Sequence, residues 1–454
     1  MRHVSRAVSG WGNYPVAQCD VYRPETRADL AEIVARAPQS SLIARGLGRS
    51  YGDAALNAGH AVIQSDRLDR LLSFDPEGGV LACEAAVSLA EILDVFLPRG
   101  FFFPVTPGTK FITVGGAIAA DVHGKNHHRS GSMAASLVDF QLLTARGDVL
   151  TCSREENADL FWATLGGMGL TGVILEARLR LRPVDTAAMV VDQEKARDLD
   201  AVLERCAESD DDYDYCVSWI DCLARGRSLG RSILLRANHA ALEDLPASAR
   251  AEPYAPQRRL QLSVPFTLPS FTLNPVSVRA FNTGIYHVHR SGRTVRDCDG
   301  YFYPLDRVHH WNRIYGRRGM LQYQCALPHE SARQGLVEVL EELSSARRAS
   351  FLAVLKSFGA ASEGVLSFPR PGFTLALDLP YTGPDALAAL ARLDRIVARH
   401  GGNVYLAKDA CLDPQLFRDM YPGLERFREI KDKVDPEHRF SSSQARRLGL
   451  AEAP

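Results

Sequence analysis

From residue 28 to residue 185 the hydrophobic pattern switches repeatedly between two periods. Residues 31–34 begin a helical repeat, and residues 39–45 read as a strand running into a glycine-rich loop. Residues 80–87 predict a strand and residues 89–97 a helix, followed by glycine runs at 106–116 and 124–131. Strand-like apolar stretches return at 137–144 and 172–182. This is the texture of mixed helix and sheet.

Beyond Pro183 the texture changes. Residues 199–208 and 336–343 predict amphipathic helices, the second from the spacing of Leu336, Val339, Leu340 and Leu343. A third helix is predicted to start at Pro384, to place Leu390, Leu393 and Val397 on one face, and to stop at Gly401-Gly402. Strands are predicted at 215–220, 319–327, 351–356 and 373–379. The expectation is an α+β chain in three parts: residues 1–186, a second domain of antiparallel strands and helices over 187–402, and a C-terminal segment, 403–454, that returns to the first. Residues 253–296 stand apart. They hold six arginines (258, 259, 279, 290, 293, 296), five prolines, no acid, and an apolar run at 264–271 without helical period. They predict an irregular arm or lid, which either packs on the second domain or faces an anionic membrane.

Composition narrows the function. With 454 residues, 46% hydrophobic and 24% charged, the chain can bury two or three sizeable cores. Fifty-three basic against 54 acidic residues leave a net charge of -1, which excludes a wholesale nucleic-acid footprint. Nine cysteines without a C-x-x-C pair read as reduced thiols, not as a disulfide frame or zinc site. No stretch approaches eighteen uninterrupted apolar residues, and residues 1–15 lack the apolar core of a secretory signal, so the expected compartment is the cytoplasm.

Four glycine-rich segments carry the chemistry: RGLGRSYGD at 45–53, PGT at 107–109, TVGGAIAADVHGKN at 113–126 and GGMGLTG at 166–172. A pyrophosphate needs several converging backbone N–H groups, and glycine allows the close approach. None of the four fits the G-x-G-x-x-G or G-x-x-x-x-G-K-[ST] pattern of nucleotide-binding loops.

The R-G-x-G-x-S-x-G loop, the P-G-T…T-V-G-G-A-I-A segment and the G-G-x-G-L-T-G-x-I strand resemble the flavin-binding domain of the vanillyl-alcohol oxidase/PCMH superfamily. Within it, HGKNHH at 123–128, QYQ at 322–324, YLAKD at 405–409 and the Asp435-Pro…Phe440…Arg446-Arg-Leu448 pattern resemble the decaprenylphosphoryl-β-D-ribose 2'-oxidase family, over nearly the whole chain. The resemblance implies a PCMH-type FAD-binding domain followed by a substrate domain. It implies FAD contacts at Ala44, Arg45, Gly46, Leu47, Gly48, Arg49, Ser50, Tyr51, Gly52, Asp53 and Ala54. Further contacts are implied at Gly108, Thr109, Thr113, Val114, Gly115, Gly116, His123, Gly124, Lys125, Asn126, Ile174 and Tyr405, with the N–H groups around Gly46, Gly48, Gly115 and Gly116 cradling the pyrophosphate. Two departures stand out. Arg49 occupies the position where many superfamily members link the flavin to a histidine, so FAD is expected to be noncovalent. Thr374 and Ala376 stand where the family usually has an Asn and a Cys near the sugar.

Oxidation of a secondary alcohol requires hydride loss to the flavin and a home for the hydroxyl proton. The resemblance places Lys408 at flavin and substrate, as proton acceptor or as a charge facing the reduced ring, and adds His123 and Tyr405 as catalytic candidates. Lys125, Lys356, Gln324 and Lys408 are the expected substrate contacts, the lysines as point charges for a phosphate. Each has a bland alternative, from a surface lysine after a strand to a satisfied buried imidazole. His127 and His128 look like a metal pair but have no carboxylate or cysteine nearby, so a solvated loop and no metal are expected. Asp210, Asp211 and Asp212 read as a solvated helix end. The implied reaction is FAD-dependent oxidation of the 2'-hydroxyl of a polyprenyl-phosphoryl-β-D-ribose. The implied partners are that lipid-linked pentose, a short-chain-dehydrogenase-type keto-reductase and an anionic membrane surface at the inner membrane face. An oxidase of a small soluble sugar, alditol or aldonolactone, an NADPH-fed reductase and a non-catalytic flavin scaffold remain as alternatives.

Overall fold

The computed structural model describes residues 2–38, 41–208, 211–255, 262–346, 348 and 350–450. Two small sheets organise the first 185 residues. The four-stranded sheet runs in the order Val4–Ser9, Val16–Tyr22, Ala61–Gln64, Leu42–Arg45, and its last two pairings are parallel. The five-stranded sheet runs Leu71–Asp75, Val80–Glu84, Val173–Arg180, Leu137–Leu143, Val149–Ser153, antiparallel throughout. Helix Leu89–Phe96 starts where Ser88 and Glu91 form a reciprocal capping box, and it buries Leu89, Ile92, Leu93 and Phe96. Helix Arg27–Arg36 has the same device at Thr26 and Asp29. Residues 39–40 of the first predicted strand lie outside the described residues, and its remainder is the strand Leu42–Arg45.

An eight-stranded sheet dominates the rest. Its order is Gly292–Asp297, Ala188–Ala196, Ser232–His239, Tyr215–Ile220, Ala353–Phe358, Gly372–Pro380, Met320–Pro328, Asn403–Val404. Helix His329–Ser345 buries Leu336, Val339, Leu340 and Leu343, and helix Pro384–Arg399 buries Leu390, Leu393 and Val397, the faces that the spacing predicts. One apolar cluster continues from the small sheets into this one.

The C-terminal residues reach back to the first sheet. Leu42 N–H donates to the Arg439 carbonyl at 2.7 Å, and Ser441 N–H donates to the Leu42 carbonyl at 3.0 Å. Asp435, fully buried, accepts from Lys431 Nζ at 2.5 Å and from the N–H groups of Arg439 and Phe440 at 2.7 and 2.8 Å. It fixes the turn that delivers this segment.

Among the described residues of 253–296, the stretch from Pro275 onward is regular, contrary to the expectation of an irregular arm. It contains a 14-residue helix, Pro275–Val288, and the sheet-edge strand Gly292–Asp297. Asn274 caps the helix, accepting from the N–H groups of Val276 and Ser277, and Pro275 starts it. The period escapes a core-seeking reading because most apolar positions of this helix face outward. Arg258 and Arg259 lie outside the described residues. Among the described residues, no helix is long and apolar enough to cross a membrane.

Candidate active site

The glycine segments converge on one cavity of about 710 Å³, within the range of cofactor and substrate pockets. Its first wall is residues 44–51. The N–H groups of residues 46–50 make no hydrogen bond within the described residues, although Gly46 to Ser50 all line the cavity. Gly48 has φ of +65°, which a side chain would strain. A Cβ at Gly46 would meet Thr113 Oγ1 at 2.4 Å, so only glycine lets this loop lie against the start of the Val114–Ala119 helix. The N–H groups of Gly108 and Thr109 make no hydrogen bond among the described residues either, and a Cβ at Gly108 would meet nothing within 4 Å. Unengaged backbone donors facing a cavity are what a pyrophosphate requires.

Gly115 and Gly116 line the same wall but serve differently from expectation. Gly115 N–H donates to the Ala85 carbonyl at 2.7 Å, and Gly116 N–H to Thr113 Oγ1 at 3.1 Å. They set the backbone's position and have no donor left for a phosphate. Of the expected contacts, Gly52, Asp53, Val114 and Asn126 do not line the cavity. Gly52 packs against the Asp409 carbonyl. Asp53 is held by Arg447 at 2.7 Å, and the same guanidinium bridges to Asp409 at 2.7 Å. Asn126 Nδ2 donates to the Pro104 carbonyl, and Val114 is fully buried. Ala44, Arg45, Ala54, Thr113, Gly124, Ile174 and Tyr405 line the cavity, as do Lys125, Gln324, Lys356 and Lys408. Arg49 lies with its guanidinium 4.0 Å over the Trp11 ring.

The electrostatics of the wall are lopsided. Arg45, Arg49, Lys125, Arg296, Lys356 and Lys408 line the cavity against a single acid, Asp306. Burial pulls the Lys356 ammonium down to about 8, and it has no hydrogen-bond or ion-pair partner among the described residues. Burial, with Lys356 and Arg296 nearby, pulls Lys125 down to about 7, while its Nζ donates to the Tyr301 carbonyl and sits 4.3 Å over that ring. Such a cavity is built to receive anions.

Lys408 projects from the turn after Val404, 4.9 Å over the ring of Tyr51. Burial lowers its pKa; Asp378 opposes the shift and Lys356 reinforces it. Asp378 was not among the expected site residues. Its carboxyl is raised by burial, Oδ1 accepts from Gln322 on the neighbouring strand, and Oδ2 has no partner among the described residues. An acid inside the apolar run FTLALDL was the sequence signal for it.

His123 is locked by a chain of hydrogen bonds. Thr374 Oγ1 donates to the Cys325 carbonyl at 2.8 Å, so its oxygen is left to accept from Gln324 Nε2 at 3.0 Å. The other proton of that amide points at His123 Nε2, 2.8 Å away. Because the carbonyl at the far end can only accept, the direction of every bond is set, and Nε2 must be the unprotonated nitrogen. Burial, with Lys356, His127 and Lys408 nearby, pushes the imidazole well below the ordinary histidine range. His123 is therefore neutral, with its lone pair already engaged. Tyr405 is engaged too, its hydroxyl donating to the Ala120 carbonyl at 2.9 Å and its ring stacked on Phe368. Of the three catalytic candidates, Lys408 is the one whose side chain makes no hydrogen bond among the described residues.

The His127-His128 pair does not sit in a solvated loop. His127 is buried against Phe358, with Nδ1 accepting from Gly359 N–H, and His128 Nε2 lies 3.0 Å from the Tyr213 carbonyl. Among the described residues no group of three His, Cys, Asp or Glu could hold a metal ion. Asp210 lies outside the described residues.

Comparison with known proteins gives this cavity its context. Residues 20–153 match the FAD binding domain family, and residues 383–448 match the D-arabinono-1,4-lactone oxidase family. The chain is 35% identical to decaprenylphosphoryl-β-D-ribose oxidase of Mycolicibacterium smegmatis, over 98% of both chains. It is 40% identical to an uncharacterised Streptomyces coelicolor protein, over 80% of this chain and all of that one. Identity to L-gulono-1,4-lactone dehydrogenase of Mycobacterium tuberculosis is 23%, over 96% of this chain and 98% of that one. FAD is the cofactor, and the unengaged N–H groups of residues 46–50 and the cationic wall fit its pyrophosphate. With that cofactor, that wall and full-length similarity, the chain belongs to the decaprenylphosphoryl-β-D-ribose oxidase family of FAD-dependent oxidoreductases.

Proposed function

We propose that this enzyme oxidises the 2'-hydroxyl of a polyprenyl-phosphoryl-β-D-ribose to the 2'-ketone, the first half of an epimerisation to the arabinose form. The observation that carries this reading is Lys356, a half-buried ammonium without a partner among the described residues, in the same cavity as a lysine of lowered pKa. A phosphodiester on the substrate supplies the missing anion. When bound, FAD supplies the electron chemistry, as acceptor of the hydride lost from the carbinol carbon.

The chain's own residues do the rest. Residues 46–50 hold the cofactor's pyrophosphate. Lys356 and Lys125 hold the substrate phosphate, and Gln324 contacts the sugar while the Thr374 hydroxyl orients its amide. Lys408, with its pKa lowered by burial, takes the hydroxyl proton, and Asp378 stabilises the ammonium that results. His123 is a positioning residue, and Tyr405 packs beside it. The apolar residues of the wall exclude water around these groups.

The keto product keeps its lipid tail and needs a hydride from elsewhere to become the epimeric alcohol. We assign that step to a keto-reductase of the short-chain-dehydrogenase type, acting with this enzyme at the anionic cytoplasmic face of the membrane. The residues 383–448 match keeps a lactone oxidase as the second reading. Anaerobic mixing with farnesyl-phosphoryl-ribose, free ribose or an aldonolactone separates them. The phosphoryl-ribose is expected to bleach the flavin band; bleaching by the lactone alone would overturn the proposal.

A further inference from the structure

Large apolar side chains exposed on this protein are concentrated in one place. Of the fourteen among the described residues, seven lie between residues 262 and 295: Leu262, Phe266, Phe271, Val276, Phe281, Val288 and Val295. Phe271, Val276 and Val288 are 77–78% exposed, more than any of the others. Exposed apolar side chains gathered on one segment of the surface mark a binding face.

The helix Pro275–Val288 gives the patch a direction. Val276, Ala280, Gly284 and Val288 follow one another at four-residue steps on the outward face, flanked by Arg279 and His287. The opposite face carries buried Val278 and Asn282, and Asn282 Nδ2 donates to Asp221 Oδ1 at 2.9 Å. The helix is thus anchored on the large sheet by one side and apolar on the other. Charge points the same way. No acid occurs from residue 253 to residue 296, and Arg279 and Arg290 are exposed. Arg293 is paired with Asp192 at 2.8 Å, and Arg296 turns to Gln193 in the cavity wall, so neither is available to the outer surface.

The same helix roofs one end of the active-site cavity. Val217, Trp219, Ile233 and Leu235 of the large sheet and Phe281 and Ile285 of the helix line an apolar arm of it. Phe281 is at once 48% exposed and part of that lining, so the arm reaches the surface beside the outward apolar face.

We propose that the helix Pro275–Val288, with residues 262–273, lies in the headgroup layer of an anionic lipid bilayer. Phe271, Val276 and Val288 enter the acyl boundary, Arg279 and Arg290 meet the headgroups, and the polyprenyl chain passes beside Phe281 into the apolar arm. The proposal rests on the lipid-linked substrate reading, and it locates where that substrate leaves the membrane. A basic-flanked amphipathic helix is the usual device for such in-plane docking.

The test uses the full-length FAD-loaded protein and sedimentation with vesicles of phosphatidylglycerol and phosphatidylcholine, or of phosphatidylcholine alone. Wild type should bind the anionic vesicles and lose most of that binding at 1 M salt. Phe271→Ser/Val276→Ser/Val288→Ser should bind at least tenfold more weakly, as should Arg279→Glu/Arg290→Glu, with flavin content unchanged as the folding control. None of the five side chains lines the cavity, so flavin reduction by dissolved farnesyl-phosphoryl-ribose should proceed at the wild-type rate. Vesicle binding unaltered in both variants overturns the docking face. Wild-type protein that ignores vesicles and instead self-associates through this face, by sedimentation velocity, also overturns it and gives the surface to a second copy. Failure of the soluble substrate to reduce the flavin contradicts the substrate reading alone, whatever the vesicles show.

Discussion

The side chains in this cavity divide by whether they are free to react. His123 and Tyr405 are committed to Gln324 and to the Ala120 carbonyl, whereas Lys408 Nζ lies over the Tyr51 ring with no hydrogen-bond partner among the described residues. Lys408→Ala should therefore retain FAD, since the phosphate-facing loop at 46–50 is a separate element, and slow flavin reduction by about 10²-fold or more. Stopped-flow bleaching measures this. The pH profile carries the sign of both lysines. Proton acceptance needs the neutral amine of Lys408, so kcat should rise as pH climbs through its lowered pKa. Phosphate binding needs the charged Lys356, so kcat/KM should fall above about pH 8. Lys356→Met should abolish that falling limb. Thr374 works one bond further back. Thr374→Val removes the hydroxyl that sets the Gln324 amide, and the loss of about 1 kcal/mol of directed hydrogen bonding should lower kcat about fivefold. Thr374→Ser should restore it with FAD content the same in both.

Elements were legible where their apolar face looks inward. The 336-339-340-343 and 390-393-397 faces are buried as their spacing requires, and the glycine loops reach one cavity as close-approach chemistry requires. The helix Pro275–Val288 escaped because its apolar residues face out, and the Asn274-Pro275 start was the one local signal. Asp378 and the fate of Gly115 and Gly116 escaped for another reason, since strand register and competing carbonyls are decided by residues far away in the chain. The Lys431–Asp435 pair shows the same long-range logic in stability. Both side chains are essentially inaccessible, and Asp435 also holds the two N–H groups that begin the return to Leu42. Asp435→Ala leaves a buried ammonium without its partner and should cost about 3–5 kcal/mol, read by urea unfolding. An unfolding midpoint equal to wild type would show the pair to be incidental.

At the scale of the molecule, the small sheets and the large sheet share one apolar core, and the cavity lies where the glycine loops face the large sheet. In the proposed function, cofactor phosphates and substrate phosphate share this one cationic enclosure. Arg49, stacked on Trp11, stands where the sequence resemblance puts the linking histidine of many superfamily members, so FAD is expected to be held by noncovalent contacts. Acid precipitation should release the yellow colour into the supernatant; colour left in the pellet would mean a covalent bond.

The proposed reaction oxidises C2' of a phosphoryl-ribose. The measurement that meets it directly is anaerobic flavin reduction with farnesyl-phosphoryl-ribose carrying deuterium at C2' alone, set against the same molecule deuterated at C3'. A primary isotope effect is expected for the C2' label and none for the C3' label. Equal rates for the two labels, or an effect confined to C3', would contradict it.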